Sequence, residues 1–167
     1  MKNYILSFQR DTWTLNFKDP ELEAKFRGSY YAKSLHILRI AFITVSLLYV
    51  AFSFFDEQVS PEKYKQFLIV RFAVVLPLLV GVLLLSYTSI FRKIWQQALV
   101  LSFIVSGSGI IYMLAHIPGN IFYYGGLFLV FLAGFFFIRL RFAAATVASL
   151  SLMIIYNVFM LTHGKEH

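Results

Sequence analysis

Cysteine is absent from this 167-residue chain, and acidic residues are scarce, with 8 Asp and Glu against 15 Lys and Arg. Without cysteine there is no disulfide, no thiol nucleophile and no cysteine metal cluster. Charge of either sign is thin as well. Only 14% of residues are charged and 59% are hydrophobic, where a soluble domain carries about a quarter charged and about half apolar. A soluble fold of this size would leave much of that apolar surface in water, so the composition points to an integral membrane protein. The first sixteen residues, MKNYILSFQRDTWTLN, lack the apolar core of a signal peptide. The chain is therefore expected to insert through its first true span.

Other absences narrow the chemistry. There is no phosphate-binding glycine loop ending in Lys-Ser/Thr, no nucleophile elbow and no spaced carboxylate pair within an apolar run. No His-x-x-x-His or Glu-x-x-His pairing lies in such a run, so nothing calls for a metal or haem, and no cofactor is expected. Proton and ion paths usually place acidic residues inside spans, and here the apolar runs hold none. Catalysis and transport are thus poorly supported, and the chain as given is not expected to be an enzyme. The net charge of +7 reads as the basic bias of cytoplasmic loops and not as a nucleic-acid surface.

Five runs are long and apolar enough to cross a bilayer: His36 to Phe55, Phe67 to Tyr87, Trp95 to Ala115, Ile121 to Ile138 and Phe142 to Leu161. They predict an all-α polytopic bundle of about five spans (residues 34–161), preceded by an N-terminal segment (1–33) and followed by a short tail (162–167). The connectors DEQVSPEKYKQ, TSIFRK, HIPGN and RLR leave no room for a soluble domain between spans. Six Lys or Arg precede the first span, and Arg92, Lys93, Arg139 and Arg141 mark the second and fourth connectors. This alternation predicts a cytoplasmic N-terminus, with the tail THGKEH on the other side.

Arg39 and Arg71 are the cations inside apolar runs. Each is a functional candidate, yet each lies near a span end, from which a long side chain can snorkel to the interface. Arg71 has a plausible ion-pair partner in Asp56 across the short first connector. His116 and Asn120, with Asp56 and Arg71, could make a polar cluster at the outer mouth of a ligand pocket. SGSG (Ser106 to Gly109) falls mid-span, where small residues allow close helix approach. Gly125, Gly126, Gly134 and the run Ala143 to Ala145 suit tight packing too. Pro77 with Gly81 is expected to kink the second span.

The stretch FKDPELEAKFRGSYY begins a helix outside the first apolar run. Asp19 is a good N-cap, Pro20 suits the first helical position, and Glu21 and Glu23 favour the positive end of the dipole. Leu22, Phe26 and Tyr30 recur every four residues as one apolar stripe. A juxtamembrane helix is expected here, lying against the membrane surface or partner helices and leading into the first span. It is either a simple anchor helix or a coupling element between membrane and cytoplasm.

That stretch, followed by Arg39 and LLYVAFSFFD (Leu47 to Asp56), resembles the start of a bacterial six-span membrane-sensor module. The module precedes class III adenylate or guanylate cyclase domains, and also GGDEF and histidine kinase domains. The matching positions are Phe17, Asp19, Pro20, Leu22, Glu23, Phe26, Arg27, Tyr30, Arg39, Leu48, Tyr49, Phe52 and Asp56. The resemblance implies a sensory and dimerising module that regulates a cyclic-nucleotide cyclase, with membrane lipid, a second copy and a small ligand as partners. The coupling candidates are Asp19, Arg27, Arg39, Asp56, Arg71, His116 and Asn120. Five spans where that module has six predict either the front part of a longer receptor or a short protein that works without its own effector. The rival readings are a passive membrane anchor and a small transporter or accessory membrane protein.

Overall fold

The structure is a computed structural model, and it describes residues 17–117, 121–132 and 141–163. Its elements are helices α1 (Pro20–Val59), α2 (Tyr64–Leu85), α3 (Phe91–His116), α4 (Ile121–Leu132) and α5 (Phe142–His163). Of these, α1, α2, α3 and α5 are long and apolar enough to cross a bilayer. The fold is an all-α transmembrane bundle. Outward-facing side chains are themselves apolar: Leu47, Phe54, Leu84, Phe128, Ile154 and Leu161 are all exposed. Lipid is the solvent such a surface requires.

The first helix is continuous for 40 residues, about 60 Å at 1.5 Å per residue. That is about twice the hydrocarbon thickness of a bilayer, so the helix reaches well beyond it. Asp19 caps it as its residue type dictates, Oδ1 accepting from the backbone N–H of Glu21 at 2.9 Å and of Leu22 at 3.4 Å. Pro20 follows at the first helical position, and Ser60-Pro61 ends the helix, because the residue before proline is pushed out of helical geometry. The apolar stripe of the N-terminal part packs on a partner helix. Tyr30 and Tyr31 meet Trp95 of α3 at ring distances of 5.7 and 5.6 Å, and Phe26 stacks on Tyr30.

The bundle is built around α3. Two thirds of its apolar window is buried (67%), against 17–28% for α1, α2 and α5. Its small residues explain how neighbours approach so closely. A Cβ at Gly107 would lie 2.5 Å from Leu152 Cδ1 of α5, and one at Gly109 would lie 3.1 Å from Val75 Cγ2 of α2. SGSG is thus a two-sided packing surface. Gly125 behaves otherwise: among the described residues a Cβ there would meet nothing within 4 Å, and at Gly126 only ordinary contact with Ile110. Tight packing at Gly125 is therefore corrected by the structure. Of Ala143 to Ala145 only Ala145 is buried, and Gly134 lies outside the described residues.

The second span carries its irregularity as a widened turn. Residues Val70–Val75 are π-helical, and the N–H of Leu76 reaches back to the carbonyl of Arg71. Pro77, just downstream, has no N–H to give to the Ala73 carbonyl four residues back, and its ring crowds that carbonyl, which favours the wider bonding there. Gly81 has open space around it and takes no part in close packing.

Candidate functional site

Tyr49, Ser53 and Asp56 lie on one face of α1, and all three are buried. Arg71 faces them from the π-helical segment of α2, itself only 4% exposed. Its guanidinium binds the carboxylate in a fork, Nε donating to Asp56 Oδ2 at 2.6 Å and Nη2 to Oδ1 at 2.9 Å. Two parallel charge-assisted bonds are the strongest arrangement open to these groups. They also make burial tolerable, since either charge alone would be strongly disfavoured in the membrane. Nη1 reaches the Tyr49 carbonyl at 3.5 Å, and the guanidinium lies 5.5 Å from the Tyr49 ring centroid. The Tyr49 hydroxyl donates in turn to the Ser106 carbonyl of α3. One buried polar centre thereby joins three helices.

The π-helical turn matters to this geometry. Widened turns inside α-helices occur often at functional sites, and this one holds Arg71 and buries it against α1. Beside the centre lies a cavity of about 180 Å³, bounded by α1, α3 and α4. Its walls are apolar, among them Val45, Ile110 and Val130, with Tyr49 and Arg71 at one part of the lining.

A second set of polar contacts sits towards the N-terminal end of α1. Arg39 gives Nε to Ser86 Oγ at 3.1 Å and Nη2 to the Ser86 carbonyl at 2.6 Å. Its guanidinium also covers the Tyr87 ring at 3.9 Å. The α2–α3 turn is thereby held to the side of α1. Nearer the helix start, Arg141 Nη2 donates to Glu23 Oε1 at 2.6 Å, and the Arg141 N–H reaches Gln96 Oε1 at 3.2 Å. The Glu23–Arg141 side chains are 14% and 20% exposed, so this pair is more shielded than a surface pair. By contrast Lys25–Glu21 is open to solvent, and the bond that Lys25 Nζ donates to Glu21 raises the Lys25 pKa without adding much stability.

The remaining candidates are distributed. Asp19 serves as the cap, and Arg27 is exposed on α1. His116 ends α3: its Nδ1 lies 2.8 Å from the Tyr112 carbonyl, and its own carbonyl accepts from Lys63 Nζ at 3.3 Å. Asn120 lies outside the described residues. The structure therefore brings Asp56 and Arg71 together, as the short connector allows. Ser86, Tyr87 and Gln96 enter as polar contacts that the sequence does not single out. The sequence marks Glu23 as a dipole-compatible acid and a position of the resemblance, and Arg141 as a topology mark, but it does not pair them. Pairing them requires residues 118 positions apart to meet, and nothing in local spacing signals that. Among the described residues no three of His, Asp and Glu gather as metal ligands would.

No curated protein and no solved structure matches the chain. One family model does, over residues 54–167, from just before Asp56 through Arg71, the SGSG helix and α5. That match spans more than half of the sequence, and the chain belongs to MASE8, a family of membrane-associated sensors.

Proposed function

We propose that this chain is the sensory and dimerising module of a bacterial inner-membrane signalling protein, and that it regulates a cyclic-nucleotide cyclase domain. In this reading the N-terminus is cytoplasmic, and α1 carries a change in packing from the Asp56–Arg71 centre to that side. A stimulus acts by favouring one of two packings of the spans. The supporting observation is that α1 is charge-paired near both ends to other helices, by Asp56–Arg71 and by Glu23–Arg141. A stiff helix held at two distant points can pass a shift at one on to the other. Membership of a sensor family supports the same reading.

The test is cyclic-nucleotide output in the native signalling protein that carries this module. Glu23→Arg is expected to change regulated output several-fold, and adding Arg141→Glu should restore it, because the swapped pair can close again. Output unaltered by both changes would contradict α1 as the transmitting element. Full regulation after replacing the bundle with an unrelated membrane anchor would favour the passive-anchor reading instead.

A further inference from the structure

The cavity beside Arg71 has a chemistry of its own. We propose that it binds a small neutral apolar molecule carrying one hydrogen-bond acceptor, such as a ketone or ether oxygen, received by Arg71. The purpose of such binding rests on the sensor reading; its occurrence does not.

Size comes first. An apolar cavity of about 150 Å³ can take up a benzene-sized molecule, and this one measures about 180 Å³. A single aromatic ring with a short substituent fits, whereas a long lipid chain does not fit whole. Access comes next. Ile40, Thr44 and Leu48 of α1 and Leu129 of α4 line the cavity and are exposed on the bundle's surface. The opening is therefore lateral, into lipid, which selects ligands that partition into a bilayer.

The polar end sets the head group. An arginine has five N–H donors. Two go to Asp56 and one makes the long contact to the Tyr49 carbonyl, which leaves two. Arg71 is buried and lines a space whose other walls are nearly all apolar. The Tyr49 hydroxyl is already committed to Ser106. An acceptor placed here can take one of the Arg71 N–H bonds that the other described residues leave unused. Charge decides which acceptor. Asp56 already neutralises Arg71, so a carboxylate would carry a second, uncompensated negative charge into an apolar site. A neutral oxygen brings none.

The experiment uses the full chain in lipid nanodiscs and ¹⁹F NMR. Three probes of similar size are titrated: 4-fluoroacetophenone, 4-fluorotoluene and 4-fluorobenzoate. Saturable binding of the ketone is expected, about tenfold tighter than the hydrocarbon, the gain of one hydrogen bond to a charged donor. Gly126→Leu should abolish it, since a side chain can begin at Gly126 without a clash and occupy the space. Asp56→Leu with Arg71→Leu removes both charges together, and should reduce the ketone's advantage to about onefold while ring-sized binding persists. Thermal unfolding of each variant establishes that it is folded.

Equal, non-saturating uptake of ketone and hydrocarbon, unchanged by Gly126→Leu, would overturn the proposal, as would a preference for the benzoate. The sensor reading fails separately. Saturable ketone binding with no effect of any bundle variant on cyclic-nucleotide output would leave the site standing and remove its role in signalling.

Discussion

Removing the Asp56 carboxylate would leave the Arg71 guanidinium buried with no counter-charge. Breaking a buried pair from one side costs about 3–5 kcal/mol, whereas replacing both partners with apolar groups is often neutral. Asp56→Ala is therefore expected to lower the unfolding midpoint in detergent sharply, and Asp56→Leu combined with Arg71→Leu to recover most of the loss. A single mutant as stable as the parent would mean that water reaches the pair. The possibility of this contact was legible in the sequence, because an acid and a cation flank one short connector. The fork geometry and the tie through Tyr49 to Ser106 were not, since they need a third helix. Arg39 makes a similar point. Its place near a span end suggested a side chain reaching for the interface, and it grips Ser86 and stacks on Tyr87 in the turn at that end. A planar guanidinium does this where a lysine could not.

The helices themselves follow closely from local chemistry. Asp19-Pro20 starts α1 and Ser60-Pro61 stops it. No proline lies between them, so the charged opening and the apolar run join as one rod. Glycines are harder to read, because their sequence does not say which side is crowded. Gly107 faces Leu152 at a distance no added carbon could keep, and Leu152 is itself buried. Gly107→Ala is expected to destabilise by about 1–3 kcal/mol through overpacking, and Leu152→Ala in the same chain should relieve part of it. Gly125 has open space. Gly125→Ala should therefore stabilise α4 by about 0.5–1 kcal/mol, the usual helical preference for alanine. Unfolding midpoints of the three variants check both statements, and destabilisation at Gly125 would reveal a contact with another molecule.

At the scale of the whole molecule, orientation can be tested directly because the chain has no cysteine. Lys25 and Glu62 are exposed near opposite ends of α1. In intact cells, a membrane-impermeant maleimide is expected to label Glu62→Cys and to spare Lys25→Cys until the cells are opened. The reverse pattern would invert the proposed topology. The pairing of Glu23 with Arg141 is compatible with this arrangement, since the starts of α1 and α5 lie on one side of the bundle. The family match begins at residue 54, beyond most of the motif that carried the resemblance to cyclase-linked modules. The sensor class and the proposed cyclase connection therefore rest on different parts of the chain.

Composition determined that the protein lives in a membrane, and the length of its apolar runs that it is helical. No other solvent accepts this much apolar surface, and no other regular structure satisfies the backbone of such long apolar runs inside it. Caps and prolines determined where α1 begins and ends. What the sequence did not determine was which helix lies at the centre. The most hydropathic span is α2, at a mean hydropathy of 2.8 against 2.1 for α3, yet only 22% of its window is buried against 67%. In a bilayer the protein interior and the surroundings are about equally apolar, so hydropathy cannot sort inside from outside. Close approach at Gly107 and Gly109, and the meeting of Asp56 with Arg71 and Glu23 with Arg141, sort the helices instead. Those contacts exist only once the helices have packed.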